Sequence, residues 1–269
     1  MSPDEIRASF AGLRPPPADP APARAAVADA LLAARRHPEL AADWRIAEAS
    51  LQHPDALALW AEALDHLPRP ARDRDRCYVH SQLARLRLSG GDAVRGRAHL
   101  TAALALARGN DARLQARLAF RLGAALLEAG LPTEAAPLLS EALTAGTDDS
   151  LIELGCATVL AGLHLDGGDL DRAIDLGARV AMLGALRGNW IAVADGLITQ
   201  SACHRLREDW PAALRVVLHG SQRLQALHAL AALNLLKAHL VALREAMGEE
   251  PFDELFEALV AELREQPPG

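Results

Sequence analysis

Apolar positions recur along this chain with a helical period almost from end to end. Residues 2–13 read as a short helix, because Ile6, Phe10 and Leu13 fall at i, i+4 and i+7 on one face. Ser2 suits its N-cap, Pro3 its first position, and Glu5 completes a capping box. The Pro-rich run at residues 14–24 cannot continue a helix and predicts an extended, semi-rigid spacer. From about Ala23 to Glu265 the pattern is helix after helix, without the alternation that marks strands. Breaks fall at His37-Pro38, His53-Pro54, Pro68–Pro70, Gly90-Gly91, Gly109-Asn110, Gly130–Pro132, Gly146, Gly167-Gly168, Gly188-Asn189, Glu208–Pro211 and Gly248–Pro251. Gly, Asn and Pro at such places stop and start helices. The loops between are short, which forces consecutive helices to lie antiparallel.

The helix pairs share a register. One unit carries Leu122-Gly123, Gly130 at the turn, then Ala135, Leu139 and Ala142. The unit before it has Leu83-Ala84, Gly91, Gly96, Leu100 and Ala103 at the same offsets, and the unit after has Leu160-Ala161, Gly168, Ala173, Gly177 and Val180. A looser fourth has Gln200-Ser201, Glu208, Ala213, Val217 and Gly220. The small residues Ala84, Gly123, Ala161 and Ser201 step by 39, 38 and 40. A fixed period of this size marks a stacked helical array, because one pair alone would expose its apolar face.

A large residue followed by Gly or Ala, a turn Gly, and a small residue five further on resembles the tetratricopeptide pattern. LGAALLEAGLPTEAAPLLSEAL (122–143) and GGDLDRAIDLG (167–177) match it best, and the resemblance covers about residues 75–226. The period exceeds the family's usual 34 residues by about five, and most of the family's aromatic positions hold Leu, Ala or Arg. The longer period is similar to the helical-repeat sensor regions of bacterial signalling and transcription-regulatory proteins. The resemblance implies an all-α fold: a right-handed superhelix of antiparallel helix pairs, a TPR-like α-solenoid of about 12–13 helices. It would span residues 23–266 with degenerate capping pairs at both ends, preceded by a helix-plus-linker segment at 1–22.

Composition adds little. The chain is 51% hydrophobic and 3% aromatic, and of its 28 basic residues only Lys237 is lysine, the bias of a GC-rich genome. No secretory segment opens the sequence and no stretch of about 18 apolar residues runs without charge. His219 to Leu243 comes nearest, interrupted by Arg223, His228, Lys237 and His239. Cys77, Cys156 and Cys203 are odd in number and lack CxxC spacing, which fits buried thiols in a reducing cytoplasm. Neither HExxH, a Walker loop nor GxGxxG occurs, the ten His lack metal spacing, and GGD at 90–92 and 167–169 sits at repeat turns. Adjacent Cys203 and His204 point apart on a helix. The expectation is a non-enzyme with no cofactor and no metal.

Charge is segregated. Residues 69–121 carry a net +8 and residues 122–175 a net −9, in a chain of net −7. Two readings stay open: pairing between neighbouring repeats, or a bipolar surface that steers a partner or joins copies of the chain through the 69–121 and 122–175 blocks. The acidic block would repel nucleic acid.

Family members bind ligands on the concave face, lined by the first helix of each repeat. Carried across, the register puts Tyr78, Ser81, Arg85, Arg117, Phe120, Glu128, Thr158, Asp166, Asp195, Arg205, Asn234 and Lys237 near that groove. The Asn/Lys/Arg set with which family members clamp a C-terminal carboxylate is missing, so an extended or helical segment with apolar anchors suits it better. The expected function is an adaptor or scaffold that binds another protein or peptide. The alternative is a sensor module that binds a small ligand or signalling peptide within a bacterial regulatory system. The N-terminal helix with Ile6, Phe10 and Leu13 could recruit a partner, fold back on its own groove, or hang as a tail.

Overall fold

The computed structural model describes the chain except for residues 15–16, 52–54, 69–70, 146–149 and 266–269, and the side chain of Glu265. The described residues form α-helices and two short 3-10 turns, with no strand among them. The helices are α1 (Pro3–Phe10), α2 (Pro20–Ala34), α3 (Ala41–Ser50), α4 (Ala56–Asp65), α5 (Asp73–Ser89), α6 (Ala93–Ala107) and α7 (Ala112–Glu128). They continue as α8 (Pro132–Thr144), α9 (Ser150–Asp166), α10 (Leu170–Leu186), α11 (Trp190–Leu206), α12 (Trp210–Ala226), α13 (Leu230–Met247) and α14 (Glu249–Glu265). No described helix is long and apolar enough to cross a membrane.

Fourteen α-helices among the described residues stand against the twelve or thirteen expected, because one break carries no sequence mark. It separates α12 from α13 at His228, inside the apolar run that came nearest to a membrane span. Helices α10 to α13 show why no glycine was needed. Backbone with positive φ recurs every twenty residues, at Gly168, Gly188, Glu208 and His228 (77°, 64°, 61° and 52°). The next N–H then reaches back five residues: Asp169 to His164, Asn189 to Gly184, Asp209 to His204 and Ala229 to Leu224, all at 2.8–2.9 Å. This helix end satisfies carbonyls that would otherwise lack a partner. The same residue caps the following helix, and the side chains of Asn189 and Asp209 accept the N–H of Ala192 and Ala212. One residue thus closes one helix and opens the next. At 228–229 the chain uses His and Ala instead, so neither signal is visible. The breaks expected at His53-Pro54 and Gly146, and most of Pro68–Pro70, lie outside the described residues.

The spacer is also shorter than expected. Helix α2 starts at Pro20, with Asp19 accepting the N–H of Ala21. Pro20 and Pro22 fall in the first helical turn, where their missing N–H groups would have no partner anyway. The expected boundary at residue 22 therefore lies inside a helix.

By its contacts the chain divides into two compact units, Met1–Leu131 and Pro132–Gly269. In the first, α1 is part of the core. Ile6, Phe10 and Leu13 are buried with Val27, Leu31, Leu40, Ala47 and Leu51. Burying such side chains contributes about 1.5–3 kcal/mol each, which holds an eight-residue helix too short to persist alone. A second cluster joins Ile46, Trp60, Val79 and Leu83. The register residues Ala84, Gly123, Ala161 and Ser201 are all buried.

In the second unit α10 and α11 approach most closely. A Cβ on Gly196 would lie 2.4 Å from the Gly177 carbonyl oxygen, and one on Gly184 would lie 2.9 Å from the Val193 nitrogen. Helix α11 also touches α9 and α13, and α12 touches α14. Within this unit, packing between neighbouring and next-but-one helices fits a helical solenoid.

Candidate functional site

Four of the twelve expected groove residues come together in the first unit. Ser81 and Arg85 on α5 face Phe120 and Glu128 on α7 across an open groove of about 350 Å³. Leu88, Leu100, Ala124 and Ala125 supply an apolar floor, while Ser89 and Arg121 complete the wall. The register explains the convergence. Residues four and seven apart on α5, and four and eight apart on α7, share one helical face, and the small Ala124 and Ala125 leave space between the helices.

The polar groups of this groove are either held by their own helix or exposed on its rim. Ser81 Oγ donates to the Tyr78 carbonyl at 2.7 Å and Ser89 Oγ to the Leu86 carbonyl at 3.1 Å, so both hydroxyl protons are committed within α5. No His, Cys or Lys stands among the lining residues to activate a nucleophile. The exposed Arg85 and Glu128 leave both signs of charge on the rim, and Arg85 Nε donates to Gln82 Oε1 at 3.2 Å.

The other expected residues lie elsewhere. Tyr78 is half-buried, edge-on to Trp60 at 5.6 Å, with the Arg14 guanidinium over its ring at 5.1 Å. Burial pushes the Tyr78 hydroxyl's pKa up, against the opposing influence of Ser50, Arg14 and Arg85. Arg117 is exposed on α7. In the second unit Thr158 is exposed, and its hydroxyl donates to its own helix at the Leu154 carbonyl. Asp166 ends α9, Asn234 and Lys237 are exposed on α13, and Arg205 is half-buried on α11. The surroundings of Asp195 raise its carboxyl pKa through desolvation. Ile6, Phe10 and Leu13, expected as anchors for a docking helix, are in the core of their own unit.

A serine–histidine contact has no clear mark in the sequence. His239 Nε2 lies 3.0 Å from Ser201 Oγ, which itself donates to the Ala213 carbonyl at 3.0 Å. The serine proton is thus spent on α12, and His239 must present its Nε2–H to Ser201. Burial, then the nearby Arg205 charge, lowers the His239 pKa. This contact, with Ser201 fully buried and His239 partly so, ties α11, α12 and α13 together and is no nucleophile. Its one signal is a small residue in register with Ala84, Gly123 and Ala161.

All three cysteines are free and buried, and burial raises the Cys77 thiol to about 11 and Cys156 to about 12. No group of three or more His, Cys, Asp or Glu among the described residues is placed to hold a metal ion. Charges of the acidic block find partners later in the chain: Glu153 with Arg179 at 2.6 Å, and Asp171 with Arg207 at 2.6 Å. In the basic block Arg87 pairs with Asp92 at 3.4 Å.

No protein-family model matches the chain, and no curated protein matches it. Among solved structures it is similar to the crystal structure of BtubC (BKLC) from P. vanneervenii, with a TM-score of 0.51 and 18% identity over 83% of this chain and 92% of that one. At that identity the likeness shows a shared helical fold and carries no function with it.

Proposed function

We propose that this chain is a long-period, tetratricopeptide-like interaction module, its helix pairs coiled as a right-handed superhelix. In this reading it is a cytoplasmic adaptor that holds a peptide or helical segment of another protein along the α5–α7 face. The observation that carries the reading is the convergence of Ser81, Arg85, Phe120 and Glu128 on one groove with an apolar floor and charges of both signs on its rim. A groove of about 350 Å³ is at the small end for a small-molecule site. It suits one or two apolar anchors of a longer segment, with Arg85 and Glu128 fixing its direction.

The test compares the wild-type chain with a Phe120→Ala/Arg85→Glu variant as baits in lysate of the source organism, after circular dichroism shows that both are folded. A partner held by wild type should be lost from the variant, since removing a central anchor costs binding about 2 kcal/mol or more. The partner, once purified, should raise the wild-type melting temperature. Identical captured proteins on both baits would place the binding face elsewhere.

A further inference from the structure

The second unit gathers large exposed apolar side chains along one edge. Consecutive helices run antiparallel, so every second turn returns to the same end of the stack. The α10–α11 and α12–α13 turns therefore lie side by side, and residues 188–191 and 229–232 line a shallow groove of about 300 Å³ between them. Leu186 ends α10 and is 77% exposed, while Leu230 opens α13 at 69%. Leu227 and Ile191 belong to the same two turns, at 51% and 42%. Stacking buries the faces of the helices and leaves such turns outside the core, where polar residues are the rule. Single apolar side chains on a surface need no explanation. Four on adjoining turns form a patch of about 400 Å², the size that marks an interaction site.

We infer that this edge is the contact between two copies of the chain, related by a two-fold axis. Such an interface must match itself, so one patch has to supply both projection and recess. Here Leu186 and Leu227 project beside the groove, whose lining includes the small side chains of Ala229 and Ala231. Charge permits the pairing. Residues 176–194 and 210–244 contain no Asp or Glu, so in a chain of net −7 two copies meet here without bringing carboxylates together. The area is also adequate. A stable interface takes about 800 Å² from each partner, as an apolar core within a polar rim. The three leucines and Ile191 supply that core, and the exposed Arg187, Asn189 and His228 stand in the rim. This contact lies outside the α5–α7 groove and does not depend on the adaptor reading. It also differs in kind from a joining of the 69–121 and 122–175 blocks, which would rest on charge.

Sedimentation equilibrium of the full chain tests it, over micromolar to submillimolar concentrations in about 0.1 M and about 1 M sodium chloride. A reversible monomer–dimer equilibrium should appear and should hold at the higher salt, because screening weakens attraction between charges and leaves apolar contact in place. Leu230→Glu should weaken the dimer about tenfold or more. Its carboxylate would stand in the first turn of α13, which the helix dipole favours, so the monomer should keep its circular dichroism spectrum. Leu186→Lys, in the last turn of α10, should weaken the dimer likewise. Leu206→Glu is the control, since Leu206 is 51% exposed beside the α11–α12 turn at the opposite edge and should leave the dissociation constant unchanged. A chain that stays monomeric throughout overturns the inference and leaves the edge to a different protein. Dimers that dissociate at the higher salt overturn it in favour of the charged blocks. Dimers that survive either edge substitution, are lost equally with Leu206→Glu, or grow into larger assemblies overturn it as well.

Discussion

Three glycines of the second unit, Gly162, Gly220 and Gly196, occupy helix interiors, yet Ala at each should have a different effect. On propensity alone, Gly→Ala inside a helix stabilises by about 0.5–1 kcal/mol. At Gly162 in α9 a Cβ would meet nothing within 4 Å, so this gain should appear in full. At Gly220 in α12 the Cβ would lie 2.4 Å from a Leu197 δ-methyl, the end of a side chain that can turn, so the gain and the repacking cost should roughly cancel. At Gly196 in α11 the obstacles are backbone: the Gly177 oxygen at 2.4 Å and the Ala181 nitrogen at 2.7 Å. An ordinary carbon–oxygen approach is about 3.3 Å or more, so α10 and α11 must part by about 1 Å. A gap of that size forfeits a quarter to a half of each dispersion contact along the seam. Overpacking of this kind costs about 1–3 kcal/mol, and with backbone on both sides the upper part of that range applies, leaving a net loss of about 1–2.5 kcal/mol after the propensity gain of about 0.5–1 kcal/mol. Urea titration reads the ranking: the midpoint should rise for Gly162→Ala, hold for Gly220→Ala and fall for Gly196→Ala, with the slope m unchanged. A Gly196→Ala protein as stable as wild type would refute the close-packed α10–α11 seam. A loss at Gly162 equal to that at Gly196 would refute the claim that the seam, rather than the residue type, decides.

Glu208→Gly and His228→Gly should each raise stability by about 0.5–1 kcal/mol, because both positions hold an L-residue at positive φ; urea midpoints check it, and a loss at either would show that its side chain contributes more than the strain. Phe10→Ala should cost about 3–5 kcal/mol in thermal or urea unfolding, whereas a loose N-terminal tail would give no change. Stability should fall as pH drops below about 6.5, since burial lowers the His99 pKa, helped by Arg87, and likewise lowers that of His239. The unfolded chain then binds protons before the folded one, so this contribution is complete above the unfolded pKa and disappears on acidification. The buried thiols act in the opposite sense: with Cys77 raised to about 11 and Cys156 to about 12, stability should decline above about pH 8.5, where the unfolded thiols ionise first. Urea midpoints at pH 5.5, 7.5 and 9.5 should therefore peak at the middle value.

The helical character of the chain, and most of its helix ends, could be read from local signals. Gly168, Gly188 and Asn189 announce themselves because a left-handed residue and a side-chain cap are properties of a few residue types, acting over a few bonds. The register of Ala84, Gly123, Ala161 and Ser201 was legible for the same kind of reason: close helix packing admits only small side chains there. Four groove residues followed from that register, since positions on one helical face stay together wherever the helix goes.

What needed three dimensions was anything set by a partner distant in sequence. The break at His228 carries no local mark, because the hydrogen bond from Ala229 back to Leu224 and the packing of α12 and α13 impose a backbone that His merely tolerates. The N-terminal stripe of Ile6, Phe10 and Leu13 showed a face that wanted burial, but only the positions of α2 and α3 decided that it is buried within its own unit. Helical periodicity tells which side chains share a face. It does not tell which other face they meet, and so the contact of His239 with Ser201 exists only in the folded chain.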